Sequence, residues 1–146
     1  KYFFIVFILT QTFYLNAFNI PHLSGRVNDY AKIIGDKCYQ IEQKLEALEK
    51  QTTDQVVVLT VPSMEDASSI EDYSFTVAEK WGIGQKGKDN GLLITVALAE
   101  QKMRIEVGYG LEGVITDAIS RIIIERKMYM RIFSCFRRKE RWKEEY

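Results

Sequence analysis

Two short apolar runs constrain the fold of this chain more than any other feature. Gln55-Val-Val-Val-Leu-Thr-Val61 and Leu92 to Leu98 are rich in β-branched residues and unbroken by charge. Neither shows the alternation of a strand with one wet face, so both belong to strands covered on two sides. Pro62 stops the first run. Between the runs, Ser69 can cap a helix whose apolar side is Ile70, Tyr73, Val77 and Trp81. Strand, helix and strand in that order imply a parallel pair joined by a right-handed crossover. Met103 to Val107 alternates apolar residues with Arg104 and Glu106, and the link Ala99-Glu100-Gln101 is short enough to fold it back as an antiparallel hairpin strand. Upstream, Cys38, Ile41, Leu45 and Leu48 make one stripe on a helix from about Asp36 to Gln51. Downstream, Thr116 or Asp117 caps a helix carrying Ile119, Ile122 and Ile123. The fold class is therefore α/β: a small sandwich with a central mixed sheet, a parallel pair plus an antiparallel hairpin strand, and helices on both faces.

Composition narrows the function. Twenty basic and twenty acidic residues balance to zero, so the basic surplus of a non-specific nucleic-acid binder is missing. With 47% hydrophobic and 12% aromatic residues the chain can bury a core. Its one histidine, His22, excludes a histidine-based triad or a multi-histidine metal site. Cys38 and Cys135 form no CxxC, so a zinc ribbon or thioredoxin motif is ruled out. The opening Lys-Tyr-Phe-Phe-Ile-Val-Phe-Ile-Leu-Thr places one cation before a run of large apolar residues, the pattern of a secretory signal. We expect residues 1–17 to serve as a signal peptide, with Leu15-Asn16-Ala17 at its cleavage point, or as an uncleaved anchor. Gln11, Asn16 and Asn19 interrupt the stretch that a membrane-spanning helix would need. Either route exports the domain, and the opening lysine fits a sequence incomplete at its start.

Two glycine-rich loops imitate nucleotide motifs without their chemistry. Gly82, Gly84 and Gly87 fit G-x-G-x-x-G, and Gly82 through Lys88 fits most of a P-loop. Asp89 stands where a hydroxyl should hold magnesium, and the loop runs from helix to strand rather than from strand to helix. Gly108-Tyr-Gly-Leu-Glu-Gly113 does join strand to helix, but Glu112 and Asp117 have the wrong sign for cradling a pyrophosphate. No nucleotide is expected.

Topology gives these loops another meaning. The first strand begins near Asp54, the second just after Asn90, and the antiparallel third ends at Val107. All three points fall at one edge of the sheet. Asp54, Asp89, Asn90, Glu112 and Asp117 are thereby drawn to one rim, with Lys88 and Arg104 nearby. Two readings stand side by side. Clustered carboxylates repel one another unless a hard cation such as calcium or magnesium sits among them. Alternatively, they are helix caps and turn residues paired with Lys88 and Arg104. Parallel sheets more often bind ligands at the opposite rim, here the polar loop Pro62 to Ser69, which holds no motif.

Together, Val27-Asn-Asp-Tyr-Ala31, the strand Val56 to Val61, Trp81-Gly-Ile-Gly-Gln-Lys-Gly-Lys-Asp-Asn-Gly91 and Arg104-Ile-Glu-Val-Gly-Tyr-Gly-Leu-Glu-Gly113 resemble the TPM domain family, also called YgcG-like. The resemblance spans Pro21 to Lys127 and gives a domain at 21–127. It implies an α/β sandwich found in bacterial exported proteins, with relatives in the chloroplast lumen linked to photosystem II repair and others tied to receptors in animals. It further implies binding of calcium-type ions in some relatives and acid phosphatase activity in others. Carried onto this sequence, the implied cation positions are Asp29, Asp89, Asn90 and Asp117, then Asp54 and Glu112.

The tail at 128–146 departs from that pattern. From Lys127 onward there are seven basic residues (127, 131, 137, 138, 139, 141, 143) against three acids (140, 144, 145). A basic helix touching anionic lipid and a shifted reading frame both account for the change. The expected function is an exported module that binds a divalent cation at its acidic rim and supports a membrane-protein assembly. The alternatives are a metal-dependent acid phosphatase, with Asp89 as the first choice of nucleophile, and an interaction domain using Tyr109 and Leu111.

Overall fold

The computed structural model describes residues 19–65, 67–129 and 132–133. The expected signal segment at 1–17, Cys135 and the tail beyond residue 133 lie outside the described residues.

A four-stranded sheet forms the centre, with strands in the order β1 (Val27–Asp29), β2 (Gln55–Val61), β3 (Gly91–Ala97) and β4 (Lys102–Val107). β1, β2 and β3 run parallel, and β4 returns antiparallel to β3. The mixed sheet read from the sequence is therefore present, with one addition. β1 has only three residues and borders β2 at the sheet edge. A run that short, with Asn28 at its centre, carries no hydrophobic periodicity to announce it.

Among the described residues three α-helices flank the sheet: α1 (Cys38–Thr52), α2 (Ile70–Trp81) and α3 (Asp117–Ile123), the last continuing into a π-helical turn at Ile124–Tyr129. Ser69 caps α2 by accepting from the Asp72 N–H, and Thr116 caps α3 by accepting from that of Ile119. α2 stops at Gly82, which takes a left-handed φ of 60°.

Side chains alternate across the sheet and so build two apolar clusters. On one face Leu59, Val61, Leu93 and Ala97 pack under Ile70, Tyr73 and Val77 of α2. On the other, Val96 and Met103 meet Phe133, with Ile124, Met128 and Ile132 around them. The apolar start of the segment beyond Lys127 thus covers a sheet face. α1 is held more loosely: it packs on β1 and β2 but buries no residue fully, and Leu48 of its stripe stays 39% exposed. Polar contacts supplement that packing. Glu42 accepts from the backbone N–H groups of Arg26 and Val27, and Arg26 also pairs with Glu49 at 2.7 Å.

Candidate functional site

The rim where β2 and β3 begin and β4 ends is assembled from backbone. Loop 82–91 leaves α2, loop 108–113 leaves β4, and Thr53 and Asp54 lead into β2. The Gly110 N–H donates to the Asp89 carbonyl at 3.0 Å, and the Gly108 N–H to that of Gly91 at 2.7 Å. These approaches require glycine. A Cβ on Gly108 would lie 2.2 Å from the Asp89 oxygen, and one on Gly110 would lie 2.0 Å from the Lys88 oxygen. The motif that imitates a dinucleotide fingerprint exists because two loops touch main chain to main chain.

Asn90 ties the rim to the start of β2. It is 5% exposed. Its Nδ2 donates to the Thr53 carbonyl at 2.7 Å, and its Oδ1 accepts from the Gln85 N–H at 2.9 Å. Gln55 adds a clamp, its Oε1 accepting from the Gly84 N–H at 2.8 Å. Both ends of the Asn90 amide are thus committed to holding loops together.

The structure gathers some of the expected residues and separates others. Asp54 meets Asn90 through a long 3.5 Å contact. Asp89 and Glu112 line one groove. Asp117 sits in the first turn of α3, behind the Thr116 cap, and is not part of that groove. Asp29 lies at the opposite rim. It pairs with Thr60 near the end of β2, whereas Asp54 precedes the start. The separation is roughly 20 Å along the strand. Among the described residues, no group of three or more His, Cys, Asp or Glu side chains gathers where it could hold a metal ion. Nor do the expected cations neutralise the rim. Lys88 reaches the Thr53 hydroxyl at 3.5 Å, and Arg104 pairs with Glu106 at 3.1 Å. Among the described residues Asp54, Asp89, Glu112 and Asp117 have no ion-pair partner.

The opposite rim is closed by its own carboxylates. Asp29 accepts from the N–H groups of Ile33, Ile34 and Gly35 at 3.0–3.1 Å and from the Thr60 hydroxyl at 2.5 Å. Burial pushes its carboxyl up, but these donors outweigh burial and hold it below the ordinary aspartate value. Glu100 staples the loop after β2 by accepting from the Ser63 hydroxyl at 2.7 Å and the Met64 N–H at 3.0 Å. The edge where parallel sheets commonly take ligands is therefore pinned by internal bonds.

A groove of about 440 Å³ opens instead between α2 and the end of β4. Phe75 and Glu79 of α2, Glu106 of β4, and Asp89, Tyr109 and Glu112 of the loops line it, with Leu93 also contributing. Four acidic residues and no lysine or arginine line it, Glu106 among them being paired with Arg104. Phe75 and Tyr109 are 53% and 81% exposed. The sequence singled out Asp89 and Glu112 but not Glu79 or Glu106. Glu79 reads as the wet face of an amphipathic helix and Glu106 as the polar register of a strand. Only the packing of α2 against β4 makes them neighbours of one cavity.

Comparison with known proteins places this architecture. No curated protein matches the chain. The solution NMR structure of the N-terminal domain of a protein from P. gingivalis is similar, with 31% identity and a TM-score of 0.62, over 72% of this chain and 67% of that one. The family model of the TPM domain matches residues 27–132, more than half of the sequence, and so includes both glycine loops and Met128 and Ile132 of the covering segment. The chain belongs to the TPM domain family.

Proposed function

We propose that this TPM domain is an exported binding module. It takes a hard divalent cation, calcium or magnesium, at the acidic mouth of the groove through Asp89 and Glu112, and in that state supports a membrane-protein assembly. The observation that carries the reading is the charge of the groove: four acidic residues and no lysine or arginine line it, and three of the four, Glu79, Asp89 and Glu112, have no ion-pair partner among the described residues. Two carboxylates supply few protein ligands, so water completes the shell and affinity is low, about 10⁻⁴–10⁻³ M as in extracellular modules. Asn90 supports the site as scaffold, since both ends of its amide are engaged. Asp54 and Asp117 add negative potential from a distance. Asp29 stands outside the site, at the far rim. The apolar run within residues 1–17 supports export.

Calcium titration followed by amide NMR tests this. Shifts are expected at Asp89, Gly110 and Glu112, and they should weaken in Asp89→Asn and Glu112→Gln. An unchanged spectrum at millimolar calcium removes the ion. Turnover of p-nitrophenyl phosphate that disappears with Asp89→Asn would replace binding by catalysis.

A further inference from the structure

β1 pairs with β2 only from Val58 onward, where the Val58 N–H donates to the Arg26 carbonyl at 2.7 Å. In a parallel ladder the next two bonds toward the start of β2 run from the Arg26 N–H to the Val56 C=O and from the Val56 N–H to the Ser24 C=O. Neither is present. Glu42 of α1 takes the Arg26 N–H at 3.0 Å and the Val27 N–H at 2.7 Å. Asn28 draws the preceding residues into a turn: its Oδ1 accepts from the Ser24 N–H at 2.8 Å, and its Nδ2 donates to the Gly25 carbonyl at 2.8 Å. Two side chains thus peel the segment before β1 off the start of β2. Among the described residues, nothing bonds to the main-chain N–H or C=O of Val56, which by alternation faces away from β3.

A cleft of about 380 Å³ spans this gap, a size that suits a small organic ligand. Leu23, Val57, Trp81 and Ile83 give it apolar walls, and the Pro21 carbonyl fixes the Trp81 indole N–H at 3.0 Å. The charged and amide side chains of the lining are already matched. Arg26 pairs with Glu49 at 2.7 Å. Gln55 donates to Glu49 at 3.2 Å and accepts from the Gly84 N–H at 2.8 Å. The cleft therefore holds no unmatched charge, while Val56 presents one main-chain donor beside one acceptor.

We infer that this cleft is a second binding site, for a small neutral ligand built as one extended apolar residue between two amide groups. A C=O of the ligand accepts from the Val56 N–H and an N–H donates to the Val56 C=O, supplying the two rungs that β1 leaves out. The apolar body rests among Leu23, Trp81 and Ile83, where a charge would lose its water without gaining a partner. Glu42 and Asn28 hold the gap open beforehand, so the ligand spends little on opening it. The site shares Gly82 and Ile83 with the acidic groove but none of its carboxylates. It needs no cation, so the two proposals fail separately.

The test titrates N-acetyl-leucine N′-methylamide into the full chain without calcium and follows it by NMR. Saturable shifts are expected at the Val56 amide and the Trp81 indole N–H, with affinity in the millimolar range that so small a ligand allows. Hydrogen exchange at the Val56 amide should slow. Two control compounds should not bind, one with both nitrogens methylated and one with glutamate in place of leucine. Leu23→Ala should weaken binding of the probe roughly tenfold while leaving the calcium titration intact. Glu42→Ala frees the Arg26 N–H to close on Val56 and should weaken it too. Equal binding of the methylated compound, shifts confined to the acidic groove, or no shift at all would overturn the site. So would a Val56 amide already protected from exchange without the probe, since the chain would then fill the gap itself.

Discussion

Gly110 lies against Lys88 so closely that a single added carbon would stand 2.0 Å from the Lys88 carbonyl oxygen. The contact locks loop 108–113 onto loop 82–91 and sets where Asp89 and Glu112 face the groove. Gly110→Ala should therefore cost about 1–3 kcal/mol, because backbone must move to admit the methyl. Gly113→Ala is the control: nothing lies within 4 Å of that position. Its effect should stay within about 0.5 kcal/mol. Thermal unfolding of the two variants reads the difference.

Asn90 is expected to matter through structure alone. Asn90→Ala leaves the Gln85 N–H and the Thr53 carbonyl without their partner, at a cost of about 2–3 kcal/mol. Denaturant unfolding should show this loss without calcium and to the same degree with it.

At the far rim, Asp29 predicts a dependence on pH. Its folded carboxyl titrates below the ordinary value, because bonds from Thr60 and three backbone N–H groups outweigh burial. Stability from this group is complete above the unfolded value of about 3.9 and is lost as pH falls through the folded one. Asp29→Asn should be less stable than the parent by about 1.5–3 kcal/mol at neutral pH. The gap should narrow below about pH 4. Denaturation curves across that range provide the check, and a constant gap would show that the charge contributes nothing.

Thr95 offers a change of opposite sign. It is fully buried in β3, and its hydroxyl has no hydrogen-bond partner among the described residues. Thr95→Val keeps the shape and removes the unpaired group, so stability should rise by about 1 kcal/mol. A raised melting temperature confirms it.

The sheet was legible in the sequence where local pattern and tertiary burial agree. Val56 to Val61 and Leu92 to Leu98 are buried or half-buried on both faces, and their unbroken apolar character says so. Ser69 and Thr116 act as caps because hydroxyls before apolar helices satisfy free N–H groups wherever they occur. β1 escaped detection because three residues with a buried Asn28 at their centre carry no period; its pairing with β2 is a long-range event. The rim was half legible. Strand directions alone bring Asp54, Asp89, Asn90 and Glu112 to one edge, while Asp29 enters the expected set only through family resemblance and lies at the other. Glu79 and Glu106 could not be read at all, since each looks like ordinary solvated charge until α2 crosses β4.

The central claim is that Asp89 and Glu112 hold a hard cation beside Tyr109. Tyr109 shares their groove and is 81% exposed, which suits it to transfer excitation to a bound lanthanide. Terbium, standing in for calcium, should luminesce when aromatic rings are excited, and added calcium should quench that signal by competition. Tyr109→Phe should dim the emission, and Asp89→Asn combined with Glu112→Gln should abolish it. Undiminished luminescence in the double variant, or none in the parent chain, would contradict the account.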